Sequence, residues 1–349
     1  MIDAFTPLAG GDALRIVEVG AGATAERGDL VIVVRGASVA RVVLDRGAQL
    51  PSTAAAARAL HAGLQALADE ADRRAQADLA AEASLARATR DAARLEQELR
   101  IARRIQRSLV QLATPAVEGW EVACDYRPAR QIGGDFFDVF PVPPGPDARH
   151  LALVIADVSG KGISAALLMA FIRPVVRAAL DRTNDPVEAL ERTNRILVGE
   201  RRTGLFVTIL AALLDLESGS LRIANAGHEA PLLVPAGRGR IRWLPDGGPL
   251  IGAFPKLGLT ESKVELGPGD QLVLYTDGVT DATDPGGRRF GDERLRAVVG
   301  RNRTGTAEEL VGAIDRSVTR FQGDADAADD LALLVLRRVP PAPASRESE

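Results

Sequence analysis

Hydrophobic and polar residues follow three different patterns along the chain. Residues 1–51 contain three short apolar runs separated by Gly-rich or Asp-containing turns, which predicts a small β-rich unit whose role the sequence does not reveal. Residues 52–113 carry Leu and Ala at spacings of three and four, with one glycine, Gly63, and no proline after Pro51. This second pattern predicts a long helical linker. Residues 114–339 return to short apolar runs that end in turns.

The apolar residues of the long helix form a heptad seam. Arg74 and Asp78 interrupt this seam, and its spacing slips between Ala102 and Ile105. The pattern indicates a coiled coil and therefore a homodimer formed through the helix; a single helix packed on its own chain is the alternative. The seam residues are Leu60, Leu64, Leu67, Ala71, Ala81, Leu85, Ala88, Ala92, Leu95, Leu99 and Ala102.

The segment 114–339 alternates strand patterns with two helical ones, which predicts an α+β domain with packed sheets. ISAALLMAFIRPVVRAAL has the composition of a mostly buried helix. DPVEALERTNRILVGER predicts a second helix, with Asp185 as its N-cap and Pro186 at the first helical position. Residues 340–349 have the composition of a disordered tail. The runs that predict strands are WEVACDYRPA, DFFDVFPV, HLALVIADVSG, FVTILAALLDLESGSLRIANAGH, APLLVPAG, IRWLP, KVELGPGDQLVLYTDGV and DLALLVLRRV.

The composition of the chain argues against several classes of function. The chain has 349 residues, 46% of them hydrophobic, and a net charge of −4 with scattered basic clusters, so we expect a soluble globular protein that does not bind nucleic acid. Its apolar runs are shorter than the roughly 18 residues of a membrane span, and its N-terminus lacks the features of a signal peptide, so we expect a cytoplasmic protein without a membrane contact. The single cysteine, Cys124, excludes an internal disulfide and a thiolate metal cage, and we interpret it as a small strand hydrophobe.

Acidic residues recur where the apolar runs meet turns. Asp135 lies in GGDFFD, Asp157 ends LALVIAD, Asp277 ends QLVLYTD, and Asp329 with Asp330 opens DDLALLVLRR. If these strand ends converge, the carboxylates repel one another unless cations neutralise them. Oxygen ligands select Mg²⁺ or Mn²⁺, and two such ions could activate a water and hold a phosphoryl group.

Nearby residues fit the same hypothesis. Gly160, Gly162 and Gly278 permit tight turns and the close approach of a ligand, and the Val158 carbonyl could supply a further oxygen. An unpaired Asp135 in a stretch rich in Phe and Val would cost several kcal/mol, so a compensating partner is expected.

The motifs GGDFFD, DVSGKGISAALLM, FVTILAALLD, NAGHEAPLLV, LYTDGVTDA and DDLALLVLR resemble, in order and spacing, the SpoIIE/RsbU-type branch of the PPM (type 2C-like) metal-dependent protein serine/threonine phosphatases. The resemblance covers roughly residues 100–338, and LRIARRIQRSLVQ looks like the helix that leads into this domain. It implies a PPM-type β-sandwich flanked by helices, preceded here by the long helix and the small N-terminal β unit. It also implies a centre of two Mn²⁺ or Mg²⁺ ions at one end of the sandwich.

The resemblance further implies a role for each acid. Asp157 would bridge both metals, with the Val158 carbonyl on one of them, and Asp277 and Asp329 would hold the other metal. Asp135 would contact the second metal directly or through water, so Asp157 and Asp135 would act in catalysis through the metal-activated water. Asp330 stays open as the alternative to Asp329.

Other residues receive weaker interpretations. We interpret Asp138 as a structural residue or as one that supports the metal ligands. We interpret Lys161 as a residue that belongs to the family motif and lies near the metals. His228 could be a general acid, but a lone His beside a turn is more often structural. The chain departs from the family pattern at Ala332 and at the pair Glu229–Ala230, and no Arg matches the phosphate-binding Arg of the eukaryotic relatives.

These observations favour a phosphatase acting on phosphoseryl or phosphothreonyl proteins, and the resemblance suggests a small anti-sigma-factor antagonist as substrate in a partner-switching pathway. A non-catalytic scaffold on the same fold is one alternative, although a scaffold has no need of a destabilising charge cluster. A metal phosphohydrolase acting on a small molecule is the other.

Overall fold

The structure is a computed structural model. It describes residues 4–7, 13–19, 29–33, 39–43, 53–110, 114–145, 148–199, 204–237, 239–245 and 247–340, and the predicted tail lies almost entirely outside these ranges. The chain forms two compact units, Met1–Arg94 and Leu95–Glu349. The boundary between them falls inside the long helix, whereas the sequence analysis placed its divisions near both helix ends.

The first unit begins with four antiparallel strands. They are β1 (Ala4–Pro7), β2 (Ala13–Val19), β3 (Asp29–Val33) and β4 (Val39–Val43), and their order in the sheet is β1-β2-β4-β3. The three apolar runs of the sequence correspond to β2, β3 and β4, so the predicted β-rich unit is confirmed. The short strand β1 was not predicted, because its four residues carry too little pattern.

Helix α1 runs from Thr53 to Val110 without a break, as the sequence predicted for residues 52–113. Several of its large apolar side chains are exposed, among them the seam residues Leu85 and Leu95. Pairing of two such helices stays a prediction.

The second unit contains two five-stranded antiparallel sheets. One has the order β11-β10-β13-β14-β5 and the other β12-β9-β8-β7-β6. The first sheet comprises β5 (Trp120–Arg127), β10 (Leu232–Val234), β11 (Arg242–Trp243), β13 (Gln271–Tyr275) and β14 (Leu331–Arg338). The second comprises β6 (Phe136–Val142), β7 (His150–Val158), β8 (Val207–Asp215), β9 (Ser220–Ala226) and β12 (Glu261–Glu265).

Both faces of the central strands are buried, which explains their continuous apolar runs. In β14, Ala332 and Leu334 belong to the core that includes residues of the other sheet, such as Leu153. The intervening Leu331 and Leu333 belong to a second core, formed with residues of the helices on the outer face. This arrangement confirms the predicted α+β class and helix-flanked sandwich.

Within the described part of this unit, five helices accompany the sheets. Helices α2 (Ile163–Thr183) and α3 (Pro186–Gly199) pack on β6–β9, whereas α6 (Ala307–Gln322) packs on β5 and β14. Helices α4 (Asp277–Thr280) and α5 (Gly291–Arg301) lie between β13 and α6 in sequence.

Helices α2 and α3 follow the sequence prediction. The Asp185 side chain accepts a hydrogen bond from the Glu188 backbone N–H at 2.9 Å, as an N-cap does, and Pro186 is the first residue of α3. Among the described residues, α2 is the one helix long and apolar enough to span a membrane, but Met169, Ile172 and five other residues that it buries pack into the core.

Helices α5 and α6 were not predicted. For α6 a signal was present, because Thr306 and Glu309 form a capping box in which each side chain accepts a hydrogen bond from the backbone of the other. The apolar residues of α6 then follow a helical period, with Leu310, Ile314 and Val318 buried.

Candidate metal centre

The predicted acids lie at strand ends of both sheets. Asp135 directly precedes β6 and Asp157 is near the end of β7, which pairs with β6. Asp277 opens α4 just after β13, and Asp329 precedes β14, which pairs with β13. The charge of Asp157 raises the pKa of both Asp135 and Asp277, so the two sheets bring these carboxylates close together.

Asp135 is the most deeply buried of these acids. It is 2% exposed, and its Oδ2 atom has no hydrogen-bond partner. Burial, followed by the charges of Asp157 and Asp330, raises its pKa well above the ordinary value. Asp135 also shares a hydrogen bond with the Asp157 carboxyl group. Two carboxyl groups can share a hydrogen bond only when one of them is protonated, and a bound cation would take the place of that proton.

Asp157 and Asp277 lie at the more accessible side of the cluster. Burial raises the pKa of Asp157, whereas the hydrogen bond with Asp135 and the charge of Lys161 lower it. Burial, followed by the charges of Asp157 and Asp329, raises the pKa of Asp277 to about 7. Around neutral pH the cluster therefore holds protons that a divalent cation would displace.

Asp329 and Asp330 differ sharply in their surroundings. The Asp330 side chain is buried and accepts hydrogen bonds from the backbone N–H groups of Ala129 at 2.8 Å and Gly134 at 2.7 Å. The Asp329 side chain is 41% exposed and lies 3.0 Å from the Lys161 ammonium. Asp330 thus fastens the GGD segment, while Asp329 faces the accessible side of the cluster.

The paired glycines before Asp135 allow two close approaches. A side chain at Gly133 would collide with the Asp330 carboxylate and the Tyr126 hydroxyl. A side chain at Gly134 would lie 2.9 Å from the Val158 carbonyl oxygen. Because neither position can hold a Cβ, the GGD segment can lie against both Asp330 and the Val158 carbonyl, which the sequence analysis singled out as a ligand.

The donor set fits a hard divalent cation. It consists of carboxylate oxygens and one backbone carbonyl, and the unpartnered Oδ2 of buried Asp135 supplies an oxygen without a hydrogen bond. Within the described residues, however, no three His, Cys, Asp or Glu side chains converge closely enough to form a ready-made ion site. The individual ligand assignments therefore stay predictions.

Two residues at the site gave no signal in the sequence. The Thr276 hydroxyl hydrogen-bonds the Asp135 carboxyl group. Its oxygen also accepts a hydrogen bond from the Ala332 backbone N–H at 2.9 Å. Gln106 of α1 is buried, and its carboxamide accepts from the Gly133 N–H at 3.2 Å and donates to the Gly133 carbonyl at 2.6 Å. Both contacts arise only when distant segments meet.

Three further residues that the sequence singled out have surroundings that indicate a structural role. Asp138 is buried between the guanidinium groups of Arg173 at 3.0 Å and Arg177 at 3.3 Å. His228 is buried, with Nδ1 3.0 Å from the Thr208 hydroxyl, and burial lowers its pKa to about 4. Burial raises the pKa of the Cys124 thiol to about 12, which makes it a poor nucleophile.

The fold of the second unit is shared with PP2C-like domains. The structure titled SiaA-PP2C domain of Pseudomonas aeruginosa superposes with a TM-score of 0.61 at 22% identity, covering 70% of this chain and 97% of that one, which shows the common fold. The model of the family Stage II sporulation protein E (SpoIIE) matches residues 147–339, more than half of the chain. The chain belongs to the SpoIIE family.

This chain spans different shares of two curated relatives. Protein IcfG of Synechocystis sp. is 31% identical over 63% of this chain, which spans 39% of that protein. Phosphoserine phosphatase RsbU of Bacillus subtilis is 27% identical over 70% of this chain, which spans 71% of that protein. The match to IcfG therefore covers well under half of that relative.

Proposed function

We propose that the protein is a metal-dependent phosphatase that hydrolyses phosphoserine or phosphothreonine in a cytoplasmic protein substrate. The observation that carries this proposal is the buried Asp135 carboxyl group, which shares a hydrogen bond with Asp157 beside Asp277 and Asp329. A fold without metal chemistry would gain nothing from gathering these acids, because burying like charges destabilises it. The name of the relative RsbU, a phosphoserine phosphatase, supports the same reaction.

The ligand assignment is the one that the sequence resemblance implies. Asp157 would bridge two Mn²⁺ or Mg²⁺ ions, with the Val158 carbonyl on one of them; Asp277 and Asp329 would hold the other, and Asp135 would complete the set directly or through a water. When bound, such ions activate a water for in-line attack and stabilise the charge of the phosphoryl group. The surroundings of Asp330 favour Asp329 as the metal ligand of the pair, because both carboxylate oxygens of Asp330 already accept backbone hydrogen bonds.

The protein groups around the cluster contribute orientation and charge. Asp330, Thr276 and Gln106 fix the segment that carries Asp135. Lys161 lies at the accessible edge, where its ammonium would face an incoming phosphate. The sequence resemblance favours a small phosphorylated anti-sigma-factor antagonist as the substrate, within a partner-switching pathway.

The first test is hydrolysis of p-nitrophenyl phosphate during a Mn²⁺ titration. We expect activity that requires metal, disappears with EDTA, and falls at least about a hundredfold in Asp157→Asn, as when a charge-stabilising group is removed. Asp181→Asn, which changes an exposed carboxylate on α2, is the matched control and should retain the wild-type rate. Activity without metal, or a fully active Asp157→Asn protein, would contradict the proposal.

Calorimetry separates the alternatives if no turnover is observed. Absence of both turnover and Mn²⁺ binding would favour a non-catalytic scaffold. Metal binding without turnover would indicate an intact centre held inactive by the rest of the chain.

A further inference from the structure

Lys161 connects the two sheets at the proposed metal centre. Its ammonium lies 3.0 Å from Oδ2 of Asp329 and donates a hydrogen bond to the Ala328 carbonyl at 2.7 Å. Lys161 follows β7 of one sheet, whereas Ala328 and Asp329 precede β14 of the other. Lys161 and Ala328 are 167 residues apart along the chain, so the contact exists only in the folded protein.

The backbone around Lys161 fixes the turn that carries it. Gly160 and Gly162, on either side of the lysine, have φ angles of 93° and 76°, in the left-handed region that favours glycine. The Ser159 backbone N–H donates to the Phe206 carbonyl at 2.9 Å, and the Ser159 hydroxyl accepts from the Phe206 N–H at 2.8 Å. The turn is therefore anchored to the residue before β8, and the lysine side chain crosses to the other sheet from a set position.

Both oxygens of the Asp329 carboxylate are engaged. Oδ1 accepts a hydrogen bond from the Asp330 backbone N–H at 3.0 Å, and Oδ2 pairs with the Lys161 ammonium. Oδ2 is therefore the oxygen that a cation would take, and it is the one that Lys161 holds. An ammonium and a divalent cation on one oxygen would repel each other strongly at such short range. A metal ion at Oδ2 would thus have to displace Lys161.

The ion pair is of a kind that opens readily. The Lys161 and Asp329 side chains are 46% and 41% exposed, and ion pairs at such positions contribute little to stability. Only three of the 43 Lys and Arg residues of the chain are lysines, namely Lys161, Lys256 and Lys263. A lysine ammonium is a point charge on a flexible stem, whereas an arginine holds a carboxylate through two parallel hydrogen bonds. Lysine therefore suits a contact that must open.

A purely structural role is the alternative for this pair. Exposed ion pairs often contribute nothing beyond local packing. The segment before β14 also contains Asp324 and Asp326, which are exposed acids, yet the ammonium lies on Asp329, the acid assigned to the metal. This choice of partner favours a role linked to the metal.

We propose that Lys161 is a displaceable counter-ion for Asp329. Without metal its ammonium neutralises the carboxylate, and metal binding at Asp329 releases it. The inference rests on the proposed function, because it takes Asp329 as a metal ligand. The exchange makes metal binding weaker than it would be at a free carboxylate, so it raises the metal concentration at which the centre fills.

Calorimetric Mn²⁺ titration of Lys161→Gln tests the exchange. We expect Mn²⁺ to bind about three- to fivefold more tightly than in the wild type, because an exposed ion pair no longer has to be broken. In the Asp329→Asn background the same change should have no effect, because the ammonium then has no carboxylate to release. Lys256→Gln, at an exposed lysine before β12, is the matched control and should bind Mn²⁺ as the wild type does.

The small number of lysines also makes the contact directly observable. With ¹³C-labelled lysine, NMR should give three sets of ε-methylene signals, and the set absent from Lys161→Gln identifies Lys161. Addition of Mg²⁺, which is diamagnetic, should shift and sharpen this set alone, because the released side chain gains motion. The signals of Lys256 and Lys263 are the internal controls.

Three results would overturn the inference. Weaker or unchanged Mn²⁺ binding in Lys161→Gln would show that no exchange limits the metal. An equal gain in the Asp329→Asn background would show that the ammonium acts by its charge at a distance. A Lys161 signal that does not change at saturating Mg²⁺ would show that the pair stays closed.

The wild-type protein separates these results from a failure of the proposed function. If it binds Mn²⁺ and hydrolyses p-nitrophenyl phosphate, the phosphatase function stands whatever Lys161 does. If it neither binds Mn²⁺ nor hydrolyses p-nitrophenyl phosphate, the proposed function fails, and the inference fails with it.

Discussion

At the scale of single residues, the adjacent acids Asp329 and Asp330 have different surroundings. Asp330 is buried and accepts two backbone hydrogen bonds, one of them from Gly134, whereas Asp329 is exposed beside Lys161. The loss of one acceptor leaves a buried backbone N–H unsatisfied, whereas the loss of an exposed charge leaves the fold intact. The two neighbours should therefore respond differently to the same substitution.

We predict that Asp330→Asn lowers the free energy of unfolding by about 1–3 kcal/mol, because its amide cannot accept both backbone hydrogen bonds. Asp329→Asn should leave stability without metal nearly unchanged and weaken Mn²⁺ binding at least about tenfold. Urea unfolding in EDTA and calorimetric Mn²⁺ titration measure the two quantities. The reverse pattern, with Asp329→Asn unfolding the protein, would assign the ligand role to Asp330.

The raised pKa of Asp277 predicts an unusual pH dependence of stability. The folded metal-free protein keeps a proton on Asp277 up to about pH 7, whereas the unfolded chain releases it near the ordinary value of 3.8. Between these values the folded state binds more protons, so raising the pH destabilises it. The raised pKa values of Asp135 and Asp157 act in the same direction.

We therefore expect the Tm measured in EDTA to fall as the pH rises from 5 to 7. The lowered pKa values of Asp185, Asp215 and Asp284 affect stability only near and below the ordinary value, outside this window. His228 opposes the fall in the lower part of the window, because burial lowers its pKa from 6.5 to about 4 and the unfolded chain then binds the additional proton. This single group does not offset the three carboxyl groups whose pKa values are raised. Asp277→Asn should reduce the slope. A Tm that rises across the window would show that these carboxyl groups are not protonated in the folded protein.

At the scale of elements, the C-terminal end of α1 is fastened to the segment that carries Asp135. Gln106 makes both of its amide hydrogen bonds with the Gly133 backbone, two residues before Asp135. Both residues belong to the unit Leu95–Glu349. We hypothesise that α1 is the control element of the domain, because a rotation of the helix would move Gly133 and with it Asp135.

Gln106→Ala tests this hypothesis. Removing the carboxamide leaves two buried backbone groups of Gly133 without partners, so we expect Mn²⁺ affinity to fall severalfold together with stability. Arg104→Ala, at an exposed position on the same turn, is the control. If stability falls but calorimetric Mn²⁺ affinity does not, Gln106 merely attaches the helix. Unchanged rate and metal affinity after deletion of residues 1–95 would likewise contradict control by the helix.

At the scale of the whole molecule, the exposed seam of α1 predicts a dimer. Leu85 and Leu95 are 70% and 54% exposed, and covering such side chains with a second copy stabilises the pair. Leu79 is 65% exposed on the same helix but lies outside the heptad seam, which makes it a matched control. The three residues separate the effect of seam position from that of hydrophobicity.

We expect the full chain to sediment as a dimer and the double variant Leu85→Lys, Leu95→Lys to sediment as a monomer. Leu79→Lys should stay dimeric, because its position faces away from the seam. A wild-type monomer at all concentrations would support the single-helix alternative. Dissociation by Leu79→Lys would show that the apolar contact does not follow the heptad pattern.

The local sequence pattern was sufficient to predict much of the fold. The continuous apolar runs of β7, β8 and β14 follow from burial on both faces, and the helix α1 follows from its composition. Helices α5 and α6 were not predicted, although the capping box at Thr306 is a local signal for the start of α6. The acids at strand ends were identified because a charge beside a buried run is costly and therefore informative.

The sequence by itself determined the long helix, the α+β alternation of strands with α2 and α3, and the recurrence of acids where apolar runs end, and its resemblance to a family implied the sandwich. Only the tertiary structure decided which groups meet. Gln106 with Gly133, Thr276 with Asp135, and Asp330 with Gly134 are each separated by tens of residues or more, so no local pattern encodes them. Periodicity reports how each segment is buried, whereas contacts between segments depend on how the sheets and helices pack.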